Sequence, residues 1–384
     1  MKKVDAYLCG YYGMENSGDD ALLYATAWGV RKYLQAESVT VSSSQSHQLT
    51  GFGGTPPSQS TRQRFRGHRR LQQYRAAFNS SCVVFGGGSV FHTAQDISIK
   101  RHLLRLSRGS NHYAMGVGLG PFKNTAAEKA CAKFLNESRF TGLRDPASYE
   151  LAKSIAPRAN LMLTFDLAPL LLAQTVRPLR EVPRAGIAVS LCPIFEAQGE
   201  VQQTALLKDL ADSLRTIYQT TGEVIYLLDF NGHSSFGDVK IHQTLKAMLG
   251  DAIPVRHIPY EPDPIAVLQR MHQFKLVVGM RLHASILAYL AGTPTVVLEY
   301  HSKCRGWSEQ IGLSERYRFA TNEFDGSLFK AQVLAGLENS FSMPKLSVRR
   351  AISLSEGNWS NEYVSKKSEI YSGHSSLQQV SAYN

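Results

Sequence analysis

The sequence predicts an α/β protein made of two doubly wound domains of parallel sheet. Three observations carry this expectation. Short apolar runs alternate with stretches of helical period along most of the 384 residues, which is the pattern of parallel strands joined by crossover helices. The stretch Ala173–Arg184, with Pro178, Pro183 and charges between them, interrupts the pattern, which restarts after it. A hydrophobic fraction of 43% and a charged fraction of 19% leave apolar material for two cores, at about 150 residues per domain. Residues 1–175 and 185–345 are accordingly expected as two domains, with 346–384 as a C-terminal tail that frays in its last part, from about Gly373.

In chain order, Val4–Gly10 reads as the first strand, Tyr11–Gly18 as a loop and Asp19–Gln35 as a helix, its apolar positions being Leu22, Leu23, Trp28, Val30 and Leu34. Ser17 is placed to cap that helix, with Asp20 as the acidic partner of a capping box. Further strands are expected at Val39–Ser42, Cys82–Phe85, His112–Gly116, Phe140–Gly142 and Met162–Phe165. Asp145 followed by Pro146 marks a helix start. The second half gives strand Gly186–Ser190, helix Thr204–Tyr218, strand Val224–Leu228, helix Val239–Leu249 and strand Val255–Ile258. It continues with helix Pro264–His272, strand Lys275–Val278, helix Leu282–Ala291, closed by Gly292 and Pro294, and strand Thr295–Leu298.

Composition excludes whole-chain disorder, coiled coil and collagen-like repeats. The most apolar stretches, Leu161–Ala173 and Leu276–Glu299, are broken by Asp166 and by Arg281 and His283, so no membrane span of about 20 apolar residues is expected. The N-terminus meets Asp5 before any apolar core of a signal peptide forms. Cys9, Cys82, Cys131, Cys192 and Cys304 are odd in number, far apart and without a Cys-x-x-Cys pair. They read as reduced thiols of a cytoplasmic protein, with no disulfide framework or zinc site expected. No His, Asp and Glu cluster has metal-ligand spacing, so neither metal nor cofactor is expected.

Lys and Arg number 42 against 31 Asp and Glu, a formal charge of +11. The excess is local: Ser38 to Gln95 holds no acidic residue, while Arg62, Arg64, Arg66, Arg69, Arg70 and Arg75 crowd one segment. Such a patch is either a solvated arginine-rich helix start or a surface for anions: a membrane face, a phosphorylated lipid carrier or an acidic glycan. Nucleic acid is not expected, because few aromatics interleave and no nucleic-acid module is visible.

Ligands of open α/β sheets bind at the carboxyl ends of the strands, so the residues there are the candidates. The first loop ends in Asn16-Ser17-Gly18-Asp19-Asp20, which is not a Gly-x-Gly-x-x-Gly fingerprint. Capping accounts for Ser17 and Asp20 but leaves Asp19 at the helix mouth, where a favourable helix dipole is the alternative reading. Gly86-Gly87-Gly88-Ser89 either turns tightly or lets backbone amides approach a ligand, and Gly116-Val-Gly118-Leu-Gly120 repeats the device. Arg144 lies where a strand ends and a helix begins, suited to an anion or to a salt bridge. Arg281 and His283 open an otherwise apolar helix, and Lys303 follows the next strand. His283 is either a satisfied core histidine or a functional one. Together Arg144, Arg281, His283 and Lys303 suit a small phosphate- and carboxylate-bearing substrate in a cleft between the domains.

These motifs resemble the polysaccharide pyruvyl transferase family, enzymes that move pyruvate from phosphoenolpyruvate onto a sugar as a ketal. The resemblance rests on Gly10–Asp20, of the form Gly-Tyr-x-Gly-x-x-Asn-x-Gly-Asp, on Gly86–Ser89, Gly142–Asp145 and Asp166, on Arg281–His283, and on Tyr300-x-x-Lys303. It runs over roughly residues 4 to 312, and the chain departs from it at His301-Ser302, where relatives commonly carry Asp-Pro or a similar acidic pair. The resemblance implies two Rossmann-like domains of GT-B type with an active site in the interdomain cleft. It implies catalytic roles for Asp19, Arg144, His283 and Lys303, and makes Asn16, Gly18, Gly86, Gly87, Gly88, Ser89, Arg281 and Tyr300 the candidate substrate-binding residues. The implied partners are phosphoenolpyruvate and a saccharide acceptor, lipid-linked if Arg62–Arg75 meets an anionic inner membrane face. Two other functions share the architecture: a nucleotide-sugar glycosyltransferase and a non-catalytic sugar-binding relative.

Overall fold

The computed structural model describes residues 4–43, 45, 49, 65–107, 109, 111–174, 182–194 and 199–364. Arg62 and Arg64, most of the expected linker and the end of the tail lie outside the described residues. The chain forms two compact units.

Of the described residues, the first unit holds those of Val4–Gly13, Leu22–Leu170 and Ile352–Val364. Its elements are β1 (Val4–Cys9), α1 (Ser17–Leu34, whose first residues belong to the other unit), β2 (Val39–Val41), α2 (His68–Phe78), β3 (Ser80–Gly88) and α3 (Ala94–Leu106). They are followed by β4 (Tyr113–Val117), α4 (Thr125–Glu137), β5 (Phe140–Leu143), α5 (Pro146–Ile155), β6 (Leu161–Leu163) and the short α6 (Leu170–Gln174). The strands pair in parallel in the order β2-β1-β3-β4-β5-β6. The strands read as continuous apolar runs because helices cover both faces. One core lies between the sheet and α1, with Leu22, Leu23, Val84 and Met115, and the other under α3 and α4, with Phe85, Phe91, Phe134 and Leu135. Asp145 caps α5 by accepting from the Ser148 amide at 2.8 Å, and Pro146 opens the helix, as expected.

The second unit holds Met14–Ala21 and Leu171–Ala351. It comprises β7 (Ile187–Ser190), α7 (Gly199–Thr221), β8 (Ile225–Leu228), α8 (Val239–Leu249), β9 (Val255–Ile258), α9 (Pro264–Met271), β10 (Leu276–Gly279), α10 (Leu282–Leu290), β11 (Thr295–Glu299), α11 (Ser302–Gln310), β12 (Arg318–Ala320) and α12 (Gly326–Asn339). Its sheet, again parallel, runs β12-β11-β10-β7-β8-β9. Gly279 at the end of β10 pairs with Ser190 and Val297, so Met280 and Arg281 leave the sheet at its carboxyl edge.

The units are not consecutive in the chain. A last helix, α13 (Val348–Glu356), carries the chain back to the first unit. Trp359 is fully buried there, stacked on Tyr33 at 6.5 Å between ring centroids. It fits because α1 has a glycine opposite: a Cβ on Gly29 would stand 2.2 Å from the indole. Asn358 accepts from the Gly116 amide at 2.7 Å and the Thr164 hydroxyl at 2.8 Å, and donates to the carbonyls of Phe165 and Ser355. This stretch is a structural part of the first unit as far as Val364.

Two local expectations are corrected. The helix cap is Asn16, whose Oδ1 accepts from the amides of Gly18 (2.9 Å) and Asp19 (3.3 Å), so α1 begins at Ser17 and there is no Ser17–Asp20 capping box. Ser17 instead donates to the Glu261 carbonyl at 3.2 Å. Gly86–Gly88 continue β3 and do not form a turn after it. Gly86 lies against α1 and the first loop: its Cβ would meet Thr26 Oγ1 at 1.9 Å, and its carbonyl accepts from Tyr12 at 2.8 Å. Gly118 likewise makes room for a side chain, its Cβ position lying 2.9 Å from Arg144 Nε. Among the described residues no helix is long and apolar enough to cross a membrane.

Candidate active site

In the second unit the first-loop motif and the Arg281–His283 motif meet. The chain turns at Glu15, which takes a left-handed φ of 54°, and is then tied down residue by residue. Gly232 donates to the Glu15 carbonyl at 2.8 Å, Asn16 bridges Asn231, and Ser17 donates from its amide to the Phe230 carbonyl at 2.9 Å. This fixes the helix mouth, and Gly18 then lies flat against His283. A Cβ on Gly18 would stand 2.4 Å from Nδ1 and 2.6 Å from Cγ of the imidazole. The glycine of the Asn-x-Gly-Asp motif is therefore required for the ring to approach, and Asp19 is the next residue along.

The position of His283 is set by a buried carboxylate. Asp238 is fully buried and accepts from the amides of Phe230 (3.0 Å) and Asn231 (2.9 Å). Its Oδ1 also accepts from both Nε (3.0 Å) and Nη2 (2.5 Å) of Arg281, charge-assisted bonds stronger than neutral ones. One side chain thus links the loop that grips Asn16 and Ser17 to the residue that opens α10. Arg281 stands at the cap position of α10, and because a guanidinium has no acceptor no side chain caps the helix, which leaves a terminus suited to negative charge. Apart from His283, α10 is apolar or small and buried, from Leu282 to Leu290, so the imidazole stands at the start of a rigid rod.

Arg281, Tyr300 and Lys303 gather around Cys192, with which all three interact electrostatically. Burial pushes the Cys192 thiol up to about 11 and the Tyr300 phenol upward as well, so both remain neutral beside the cations. Lys303 Nζ lies 5.4 Å from the centre of the Tyr300 ring. The residue before Ser302 acts as a cap. His301 Nδ1 accepts from the Lys303 amide at 3.3 Å at the start of α11. An acidic residue could accept that bond equally well, so His301 preserves the cap.

A second acid sits in the same turn. Asp20 is 1% exposed and accepts from the Tyr260 hydroxyl at 2.6 Å, while among the described residues its Oδ1 has no hydrogen-bond partner. Burial, only partly offset by Tyr260, raises its carboxyl to about 7. Sequence reasoning gave Asp20 a capping role; neither its burial nor Tyr260 carries a sequence signal.

The first unit carries the remaining candidates. Arg144 is 6% exposed, donating to Ser89 at 3.1 Å and Asp166 at 3.3 Å, with Asp145 at 3.8 Å. The Asp166 carbonyl accepts from Ser355 at 2.7 Å, so the returning C-terminal segment buttresses this cluster. Gly86, Gly87 and Gly88 line up beside it on β3, with positive φ of 71° and 77° at Gly87 and Gly88.

Among the described residues, one group has metal-ligand proximity: Asp229, His242 and His257 of the second unit. Two imidazoles and a carboxylate are a donor set zinc accepts. His242 Nε2, however, accepts from the Leu191 amide at 3.0 Å, which assigns its proton to Nδ1, 2.6 Å from Asp229. A metal at Nδ1 would have to displace that proton.

Solved structures similar to the chain share its fold at low identity. The UDP-GlcNAc 2-epimerase of Methanocaldococcus jannaschii aligns with a TM-score of 0.59 at 10% identity, over 97% of this chain and 99% of that one. The Neisseria meningitidis UDP-GlcNAc 2-epimerase bound to UDP-GlcNAc aligns with a TM-score of 0.57 at 10% identity, over the same shares. Anabaena Alr3699/HepE in complex with UDP-glucose gives 0.54 at 13% identity, over 97% and 99%. They establish two Rossmann-like units of GT-B type. The polysaccharide pyruvyl transferase family model matches residues 16–302, a span that contains the helix mouth at Asn16–Asp20, Arg144 and the Arg281–His283 pair, and the chain belongs to that family.

Proposed function

We propose that the protein transfers pyruvate from phosphoenolpyruvate to a saccharide as a ketal, releasing phosphate. The observation that carries this reading is the seating of His283 against Gly18, which puts an imidazole beside the helix mouth that bears Asp19. The chemistry requires a proton acid of near-neutral pKa and a base, and imidazole and carboxylate are suited to those roles. His283 gives a proton to the methylene carbon of the enol phosphate, and C2 gains oxocarbenium character. One sugar hydroxyl adds to C2 and yields its proton to Asp19. The C2–O bond to phosphorus-bearing oxygen then breaks, phosphate departs with its electron pair, and the second hydroxyl closes the ketal. The two hydroxyl protons are balanced by one on the new methyl group and one on phosphate. Lys303 and Arg144 hold the carboxylate and phosphate of the donor and stabilise the departing charge.

The finer parts of this reading are a lipid-linked acceptor and peripheral contact of the arginine-rich segment with anionic lipid. Vesicle binding that falls steeply with salt supports that contact; salt-insensitive binding contradicts it. The test of the main reading is incubation with phosphoenolpyruvate and a panel of galactosides, mannosides and glucosides, scoring inorganic phosphate. Acceptor-dependent release that is lost in His283→Asn is the expected result. Turnover of a UDP-sugar without use of phosphoenolpyruvate would replace the reading by glycosyl transfer.

A further inference from the structure

The first unit contains a cavity of about 700 Å³ that the site above does not use. It lies at the carboxyl end of its sheet. Cys9 and Gly10 at the end of β1, Ser42 just after β2, and Phe85 of β3 form its floor. In the order β2-β1-β3, the connection from β1 steps to one side and the connection from β2 crosses back to the other, and this reversal opens the crevice in which doubly wound sheets bind phosphate-bearing ligands.

The walls are strongly cationic. Arg66 precedes α2, Arg69 and Arg70 come from its first turn, and Lys100 from α3; Asp96, bonded to Lys100, is the acidic residue among the lining side chains. The three arginines are exposed at the cavity mouth. The helix itself adds to the field: α2 is preceded by Gly67 in the left-handed region at φ 91°, and no side chain caps it. The His68 amide donates to the Phe65 carbonyl at 3.1 Å, so the amides that follow it in the first turn offer donors at the positive end of the helix dipole, beside three guanidinium groups. The rest of the lining is not cationic. Gln73 and Gln95 supply neutral donors and acceptors, and Tyr11, 39% exposed, presents a ring at the rim. A cavity of this size takes a ligand much larger than a three-carbon acid.

We propose that this cavity binds the phosphoryl or pyrophosphoryl group of a sugar phosphate, with Arg66, Arg69, Arg70 and the α2 amides on the phosphate. Gln73, Gln95 and the Tyr11 ring lie where they meet the sugar. This deepens the proposed function, on which it rests, by giving the saccharide substrate a phosphate and that phosphate a place.

The test is calorimetric titration of the full chain with galactose 1-phosphate, mannose 1-phosphate, glucose 1-phosphate and inorganic pyrophosphate, beside phosphoenolpyruvate and phosphatidylglycerol vesicles. Wild type should bind at least one sugar phosphate, in competition with pyrophosphate and more tightly than the free sugar. Arg69→Gln/Arg70→Gln should weaken that binding by about tenfold or more while leaving phosphoenolpyruvate affinity unchanged. These side chains are exposed, and Arg66→Gln provides an independent variant with the same expectation. The proposal is overturned if no sugar phosphate binds, or if the variants bind as wild type does. It is also overturned if phosphoenolpyruvate binding falls in parallel, since the cavity would then serve the donor, or if vesicles bind through these arginines and sugar phosphates do not. Loss of phosphoenolpyruvate binding by wild type, with sugar phosphate still bound, would refute the donor assignment and leave this cavity standing.

Discussion

Replacing Asp20 by asparagine tests the electrostatics of the helix mouth. The native carboxyl is buried, and its folded-state value is raised from 3.8 to about 7. In the unfolded chain the group ionises near its ordinary value. Between about pH 4 and pH 7 the folded protein therefore holds a proton that the unfolded chain has released, and this contribution to stability is lost as pH rises through that window. At about 1.36 kcal/mol per unit, a three-unit displacement sets a ceiling of about 4 kcal/mol; with local relaxation, roughly 2 kcal/mol is the working figure. The substituted amide cannot ionise and still accepts from Tyr260. The variant should match wild type at about pH 4.5 and exceed it at about pH 8, by roughly 4–8 °C in Tm for a domain of this size. Thermal melts of both proteins at the two pH values provide the measurement. A Tm difference that is the same at both, or a variant less stable at the higher pH, would show that the Asp20 carboxyl is not raised in the folded protein and that burial does not govern it.

Other substitutions separate position from stability. His283→Asn should abolish acceptor-dependent phosphate release with Tm unchanged; retained turnover removes the imidazole from the mechanism. Gly18→Ala introduces a methyl group 2.4 Å from the imidazole. A ring displacement of about 1 Å should lower kcat by about 100-fold, and an unaltered kcat would mean that the ring need not sit there. Asp238→Asn leaves Arg281 without its buried counter-charge and should destabilise the second unit by about 3–5 kcal/mol, measured by urea unfolding; a loss below about 1 kcal/mol would contradict the pairing. Trp359→Ala should cost the first unit about 3–5 kcal/mol, whereas a tail without structural weight would show no change.

The parts of this molecule that the sequence reveals are those encoded locally. The alternation of apolar runs with helical stretches pointed to the two sheets, and Asp145-Pro146 and Gly292-x-Pro294 marked helix ends that the structure retains. Asn16 and Ser17 are both good caps, and adjacent caps cannot be ranked without knowing where the chain enters the helix. Gly86–Gly88 looked like a turn because three glycines favour one; Gly86 and Gly87 are glycine because the side chains of Thr26, Tyr12 and Leu22 lie across them. The same holds for Gly18 and His283, which belong to separate motifs and acquire a shared purpose only through folding. Asp238 and Asn358 had no legible role, since Arg281 lies 43 residues from the one and Gly116 and Thr164 lie 242 and 194 residues from the other. The return of Ile352–Val364 to the first unit was hidden for a related reason: scattered residues carry it, among them Ser355, Asn358, Trp359 and Tyr363, in a stretch of otherwise ordinary polarity.

In the proposed reaction C2 of phosphoenolpyruvate becomes the ketal carbon of a sugar. Phosphoenolpyruvate labelled with carbon-13 at C2 follows that atom directly. With a productive acceptor the label is expected in the saccharide as a quaternary carbon bearing two sugar oxygens, with a mass gain of one pyruvic acid less one water. Label recovered wholly as free pyruvate, or left in unreacted phosphoenolpyruvate while the acceptor gains a hexose from a UDP-sugar, would contradict it.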